Sequence, residues 1–106
     1  MATTDAVFRA LADETRRDIL KLLRTGPRTS GEIADRFESS WATVSRHLSV
    51  LRAAGLVSTE RKGQEIHYEL NTTVFEDVVH HLMGWIKPTM ANRKARRVRA
   101  SRGQEV

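Results

Sequence analysis

A chain of 106 residues suits one domain with one modest core, and 40% hydrophobic residues are enough to build it. With no cysteine, disulfides and thiolate metal sites are excluded. The net charge of +5 is uneven: residues 87–106 hold seven cations against one anion, a net +6, while residues 1–86 hold eleven cations and twelve anions, a net −1.

In chain order, "DAVFRALA" (5–12) predicts a short helix with Val7, Phe8 and Leu11 on one side. Asp13 is placed to cap a second helix, "ETRRDILKLLRTG", whose apolar face is Ile19, Leu22 and Leu23 and which Gly26 and Pro27 stop. "TSGE" (29–32) fits a capping box, with Thr29 and Glu32 satisfying free amides at the start of a third helix through Ile33, Ala34 and Phe37.

A fourth helix follows, capped by Ser39 or Ser40. At 100° per residue Val44, Leu48 and Leu51 face the core, and Ala42, Arg46, Ser49 and Ala53 point the opposite way. Thr43 and Ser45 flank that outer face, while Trp41 and His47 lie nearer the core edges. Gly55 ends the helix, and Leu56 and Val57 pack behind it. Residues 39–57 contain no acidic side chain, whereas an ordinary solvated face carries Glu and Lys.

Between residues 57 and 70 the period changes from helical to alternating, as in "IHYEL" (66–70), and "RKGQ" (61–64) is a turn with glycine at its tip. This predicts a two-stranded hairpin. Asn71, Thr72 or Thr73 then caps a last helix bearing Phe75, Val78, Val79, Leu82, Met83, Trp85 and Ile86, and Pro88 stops it. The order α-α-α-α-β-β-α, mainly helical with a small hairpin, is that of a winged helix-turn-helix domain. The domain is expected over 1–88, followed by a flexible basic tail over 89–106. The motif's second helix, here the fourth of the chain, enters the major groove of double-stranded DNA. There Arg46 can read guanine, and serine or threonine can read several bases. The tail suits a polyanionic partner, nucleic acid or an anionic membrane surface, and equally suits a merely solvated role.

The last helix carries two adjoining apolar stripes, Phe75, Val79, Met83 and Ile86 on one and Val78, Leu82 and Trp85 on the other. A small domain covers only one such stripe, so the second predicts a partner, most simply a two-fold homodimer presenting two reading helices to an inverted repeat.

"LADETRRDILKLL" (11–23), "TSGEIADRF" (29–37), "TVSRHLSVLRAAGLV" (43–57) and "ERKGQEIHYELN" (60–71) together resemble the ArsR-type family of bacterial winged-helix repressors. The tryptophan of "SSWATVSRHL" and the "LNTTVFEDV" after the wing resemble an autorepressor branch of it. The resemblance implies base-reading positions at Trp41, Ala42, Ser45 and Arg46, with Thr43, His47 and Ser49 as neighbours. Many relatives carry glutamine where this chain has Trp41; tryptophan cannot bond adenine in two places, so it touches a thymine methyl or a sugar, or packs inward. His47 is a phosphate contact or a packing residue. Further phosphate contacts are expected from amides near Thr29, Ser30 and Ser40, and from Arg61 and Lys62 at the wing tip unless that tip is a plain exposed turn. The resemblance also implies dimerisation through the terminal helices, at Val7, Phe8, Leu11, Phe75, Val78, Val79, Leu82, Met83 and Ile86.

Many members of that family sense metals. Here the third helix has no thiol. The last helix offers Glu76, Asp77, His80 and His81, but the second ligand cluster of the sensors is replaced by "KARRVRASRGQ", too few donors for four-coordinate zinc. No metal and no cofactor are therefore expected, a metal-responsive repressor using Asp77 and the histidines being the alternative. Enzymatic chemistry is not expected either: Ser45 and His47 point in different directions on a helix, and no phosphate loop or nucleophile elbow is present. The rival from another class is a winged-helix module that binds proteins, favoured by the neutral body and disfavoured by the acid-free helix face. No apolar run approaches a membrane span and the N-terminus lacks the order of a signal peptide, so a cytoplasmic protein without membrane insertion is expected. An effector protein or ligand that relieves repression is a further partner the sequence does not identify.

Overall fold

Side-chain caps set where the helices begin in the computed structural model, which describes residues 3–86. Thr3 accepts from the Ala6 amide and opens α1 (Thr4–Leu11), one residue ahead of the predicted start. Asp13 accepts from the Arg16 amide at 3.1 Å and opens α2 (Glu14–Leu23). Both bonds satisfy amides that have no partner inside the helix. On α2 the buried residues are Ile19, Leu20 and Leu23. Leu20 is buried there and Leu22, expected on the inward face, is only half-buried.

A strand absent from the sequence expectation follows. The two residues of β1 (Arg28–Thr29) pair antiparallel with β3, Arg28 opposite Tyr68 and Thr29 opposite His67. The sheet therefore has three strands in the order β1-β3-β2. Thr29 then serves as cap of α3 (Ser30–Ala34), and the capping box forms as expected: the Thr29 amide donates to Glu32 Oε1 at 2.8 Å, and the Glu32 amide to Thr29 Oγ1 at 3.1 Å. This helix ends earlier than predicted, and Phe37 lies in the turn beyond it, half-buried.

Ser40 caps α4 (Trp41–Ala53), accepting from the Thr43 amide at 3.2 Å. Val44, Leu48 and Leu51 are buried on its inner face, together with His47. At its end Gly55 takes φ 79°, the Gly55 amide bonds the Arg52 carbonyl and the Leu56 amide bonds the Leu51 carbonyl. That is the Schellman arrangement, and Leu51 and Leu56, which stand at the positions that commonly make its hydrophobic contact, are both fully buried.

The hairpin comprises β2 (Val57–Lys62) and β3 (Glu65–Leu70), in register from Val57–Leu70 to Lys62–Glu65. Gly63 at the tip has φ 63°, a conformation that disfavours side chains. The core joins Val7 and Ala10 of α1, Ile19, Leu20 and Leu23 of α2, Ile33 of α3, the inner face of α4, and Leu56 and Val57.

The last helix, α5, spans Thr72–Ile86. The chain divides into two units, one ending at Phe75 and the other starting at Glu76, so the division falls within this helix. In the second unit Val79, Trp85 and Ile86 are exposed, and the His81 and Trp85 rings meet edge-on with centroids 5.3 Å apart. Pro88 and the basic tail expected over 89–106 lie outside the described residues.

Candidate nucleic-acid interface

With Val44, Leu48 and Leu51 turned inward, α4 exposes Trp41, Ala42, Ser45, Arg46, Ser49, Arg52 and Ala53. Ser45, Arg46 and Ser49 make no hydrogen bond or ion pair within the described residues, and so keep their donors and acceptors for an outside partner. Two alanines beside them leave room for a close approach. A row of unengaged hydroxyls and guanidinium, with no carboxylate on the helix, is chemically suited to base edges and repels no phosphate.

The start of the helix is more occupied than the sequence suggests. The Ser40 hydroxyl accepts from the Thr43 amide and donates to Thr43 Oγ1 at 3.0 Å. Ser40 is thus engaged in holding the first turn, and Thr43, half-buried, keeps only its own hydroxyl proton to offer. At α3 the Thr29 amide, expected to meet a phosphate, is closed off by Glu32. Its hydrogen bond, chiefly, holds the Glu32 carboxyl below the usual range, so a negative charge stands at that helix start. The Ser30 hydroxyl makes no bond within the described residues.

Trp41 is 60% exposed and does not pack inward. Its ring lies across Gly31, with two indole carbons 3.4 and 3.5 Å from where a Cβ on that glycine would sit. The ring walls a cleft of about 350 Å³ shared by Thr29 and Ser30 at the start of α3 and by Gln64, Glu65, Ile66 and Tyr68 of the wing. Pattern reading could not join these residues, because their contact depends on how α3, α4 and β3 assemble.

His47 is 8% exposed and lies on the inner face of α4 with Val44, Leu48 and Leu51. Its Nδ1 lies 3.4 Å from the Arg16 guanidinium and 3.9 Å from the Asp13 carboxylate. The hydrogen bond from the Arg16 amide, chiefly, holds the Asp13 carboxyl below its ordinary value, and the nearby Arg16 guanidinium adds to it. Arg61 and Lys62 are exposed at the wing as expected. Arg61 Nε donates to the Gly63 carbonyl at 3.2 Å, and Lys62 lies 4.0 Å from Glu60, an exposed pair that water and salt largely screen.

Among the expected interface residues, Val7 is a correction: at 3% exposure it belongs to the chain's own core and has no surface to offer a partner. Phe8 is half-buried. Leu11 and Phe75 line, with Leu20 and Leu70, an open apolar groove of about 350 Å³ edged by Arg17, Lys21 and Arg24. Val78, Leu82 and Met83 are half-buried, and Val79 and Ile86 exposed. Among the described residues, no three His, Asp or Glu side chains come together as metal ligands, and no helix is long and apolar enough to cross a membrane.

The profile of the bacterial regulatory protein, arsR family, matches residues 13–59, from the cap of α2 into β2. The transcriptional repressor SdpR of Bacillus subtilis is 46% identical over 80 residues, covering 76% of this chain and 89% of its own length. An arsenic resistance transcriptional regulator of Pseudomonas putida is 37% identical over 94 residues, covering 81% and 73%. Among solved structures, an ArsR-like transcriptional regulator from Rhodococcus sp. RHA1 superposes with TM-score 0.73 at 30% identity, covering 87% and 86% of the two chains. HlyU from Vibrio cholerae superposes with TM-score 0.63 at 32% identity, covering 76% and 87%. These relatives are regulators and not enzymes, and the two solved structures share the fold described above. The chain thus belongs to the ArsR family of bacterial regulatory proteins and is a DNA-binding winged helix-turn-helix transcriptional regulator.

Proposed function

We propose that the protein is a cytoplasmic, homodimeric repressor that reads an inverted-repeat operator with α4 in the major groove and needs no metal to do so. The observation that carries the reading is the acid-free outer face of α4, where Ser45, Arg46 and Ser49 have no partner within the described residues. The dimer is supported by the apolar side chains left exposed on α5, Val79 at 56% and Ile86 at 73%, and by the open groove bordered by Leu11 and Phe75. Patches of this kind mark interfaces. Two copies related by a two-fold axis would present two reading helices one DNA turn apart. Metal independence is supported by the donor set: the chain has no cysteine, and residues 94–104 supply no second cluster to join Asp77, His80 and His81.

The test starts with selection of duplexes from a random library by the full-length, EDTA-treated protein, followed by fluorescence anisotropy on the enriched duplex and on a random one. A palindromic consensus bound about 1,000-fold or more above the random duplex is the expected result. No enrichment, with weak and equal binding to both, refutes it. Repeating the titration with zinc is expected to leave the affinity unchanged, and calorimetry is expected to find no submicromolar zinc site.

A further inference from the structure

Arg16 lies away from the outward face of α4, yet its side chain joins three elements. Its Nε donates to the Ala10 carbonyl at 2.7 Å and one Nη to the Arg9 carbonyl at 3.1 Å, both in the last turn of α1. The other Nη lies 3.4 Å from Nδ1 of His47, on α4. A cation is favoured at the carbonyl end of a helix, where peptide dipoles leave partial negative charge. From α2 itself, Asp13 accepts the Arg16 amide at 3.1 Å and lies 3.9 Å from His47 Nδ1. A guanidinium only donates, so in its contact with Arg16 the imidazole Nδ1 is the accepting atom.

The rest of α4 meets the core through Val44, Leu48 and Leu51. Apolar contact is non-directional and tolerates a small rotation of the helix about its axis. A hydrogen bond does not, because it weakens steeply with angle. His47 is the neighbour of Arg46 in sequence, so whatever fixes His47 fixes the direction in which Arg46 leaves the helix. Since an arginine's guanidinium ends several ångströms from the axis, a turn of about 10° displaces it by on the order of 1 Å. That suffices to misalign a two-point base contact.

We infer that Arg16 and His47 are positioning residues for DNA reading: through Arg16, the end of α1 fixes the rotation of α4 and thereby aims Ser45, Arg46 and Ser49. The inference rests on the DNA-reading role proposed above. It also ties the end of α1 to the reading helix.

The experiment uses the full-length protein, the duplex enriched by the wild type, and a random duplex. Arg16→Met removes the donors and keeps the aliphatic stem. His47→Leu removes the acceptor and keeps an apolar side chain, and His47→Asn places an amide oxygen where Nδ1 was. Arg16→Met and His47→Leu are expected to lower the preference for the enriched duplex about 30-fold, the loss of one well-aligned base contact in each of two subunits. His47→Asn is expected to stay near the wild type. Affinity for the random duplex and the salt slope should hold in all three, since neither residue faces phosphate. Melting curves confirm folding, and if Arg16→Met does not fold, the two His47 variants carry the test. A role in packing alone predicts the reverse order, His47→Leu matching or exceeding His47→Asn in preference, and that result overturns the inference. Unchanged preference in both Arg16→Met and His47→Leu also overturns it. A wild type without any preference overturns the DNA reading itself, and is seen before any variant is made.

Discussion

Replacing Arg46 by alanine tests the proposed reading helix most directly. Arg46 is exposed near the middle of α4 and has no partner among the described residues, so its removal breaks nothing inside the protein. Alanine is also the better helix former, and folding stability should change by less than about 0.5 kcal/mol. The whole effect then falls on the complex. A two-point contact with a guanine edge is worth about 1–3 kcal/mol. In a two-fold complex the loss occurs twice, about 2–6 kcal/mol, which at 1.4 kcal/mol per decade weakens operator binding by about 30-fold at least. Random duplex should lose little beyond one cation per subunit, and the salt slope should change by about 0.9 or less for each. Anisotropy on enriched and random duplexes, repeated across salt, separates the two effects. Equal losses on both duplexes would place Arg46 on phosphate. No loss on either would mean that α4 does not enter the groove.

Leu51→Ala opens a cavity at a side chain with no exposed surface, a change that costs about 2–5 kcal/mol. Urea titration should show that loss, and one below about 1 kcal/mol would contradict the packing of α4. Asp13 and Glu32 both have carboxyl pKa values held below their ordinary values, so their ionised forms favour folding. That contribution is complete above the ordinary carboxylate range, about pH 4–4.5, and disappears as pH falls through the lower folded-state values. Glu32→Gln, which keeps an acceptor for the Thr29 amide, should flatten the acid limb of stability followed by circular dichroism; an identical limb refutes the assignment. Ile86→Glu, in the exposed end of α5, should convert a dimer into a monomer by light scattering and weaken operator binding, whereas an unchanged dimer would move the interface elsewhere. Replacing Arg93, Arg96, Arg97, Arg99 and Arg102 by glutamine should reduce the salt slope by about 0.9 for each phosphate that an arginine neutralised. An unchanged slope would show that the tail does not touch DNA.

Local rules made most of the helices legible. Asp13, Thr29 and Ser40 cap where hydroxyl and carboxylate chemistry says they should, and Gly55 ends α4 as expected, in a left-handed turn. Each of these depends on residues within five positions of one another. What escaped the sequence depends on long-range assembly. The strand β1 is two residues long and exists because β3 comes alongside it, a partner some forty residues away. Val7 reads as an interface residue from the stripe it shares with Phe8 and Leu11, but α2 and α4 pack against α1 and cover it. Trp41 and Gly31 meet only because α3 and α4 cross there. The Arg16–His47 contact joins residues 31 apart, and no periodicity marks a polar pair of that kind.

Near-neutral charge over residues 1–86 bears on how such a domain reaches DNA. Affinity from phosphate contact needs an excess of cations on the approaching face, and the wing does not supply one: Arg61 and Lys62 stand among Glu60 and Glu65, with Lys62 paired to Glu60. The start of α3 carries Glu32, which tightens the helix cap and repels phosphate. Among the helices, α4 alone carries no carboxylate, and Arg46 and Arg52 are its exposed charges. On the proposed reading, base edges are expected to supply a larger share of the affinity than in a strongly basic domain, and binding of a random duplex by the folded domain is expected to be weak. The aim of α4 then matters more than it would in a strongly basic reader. Rotation of a single helix can switch recognition off while the fold stays intact.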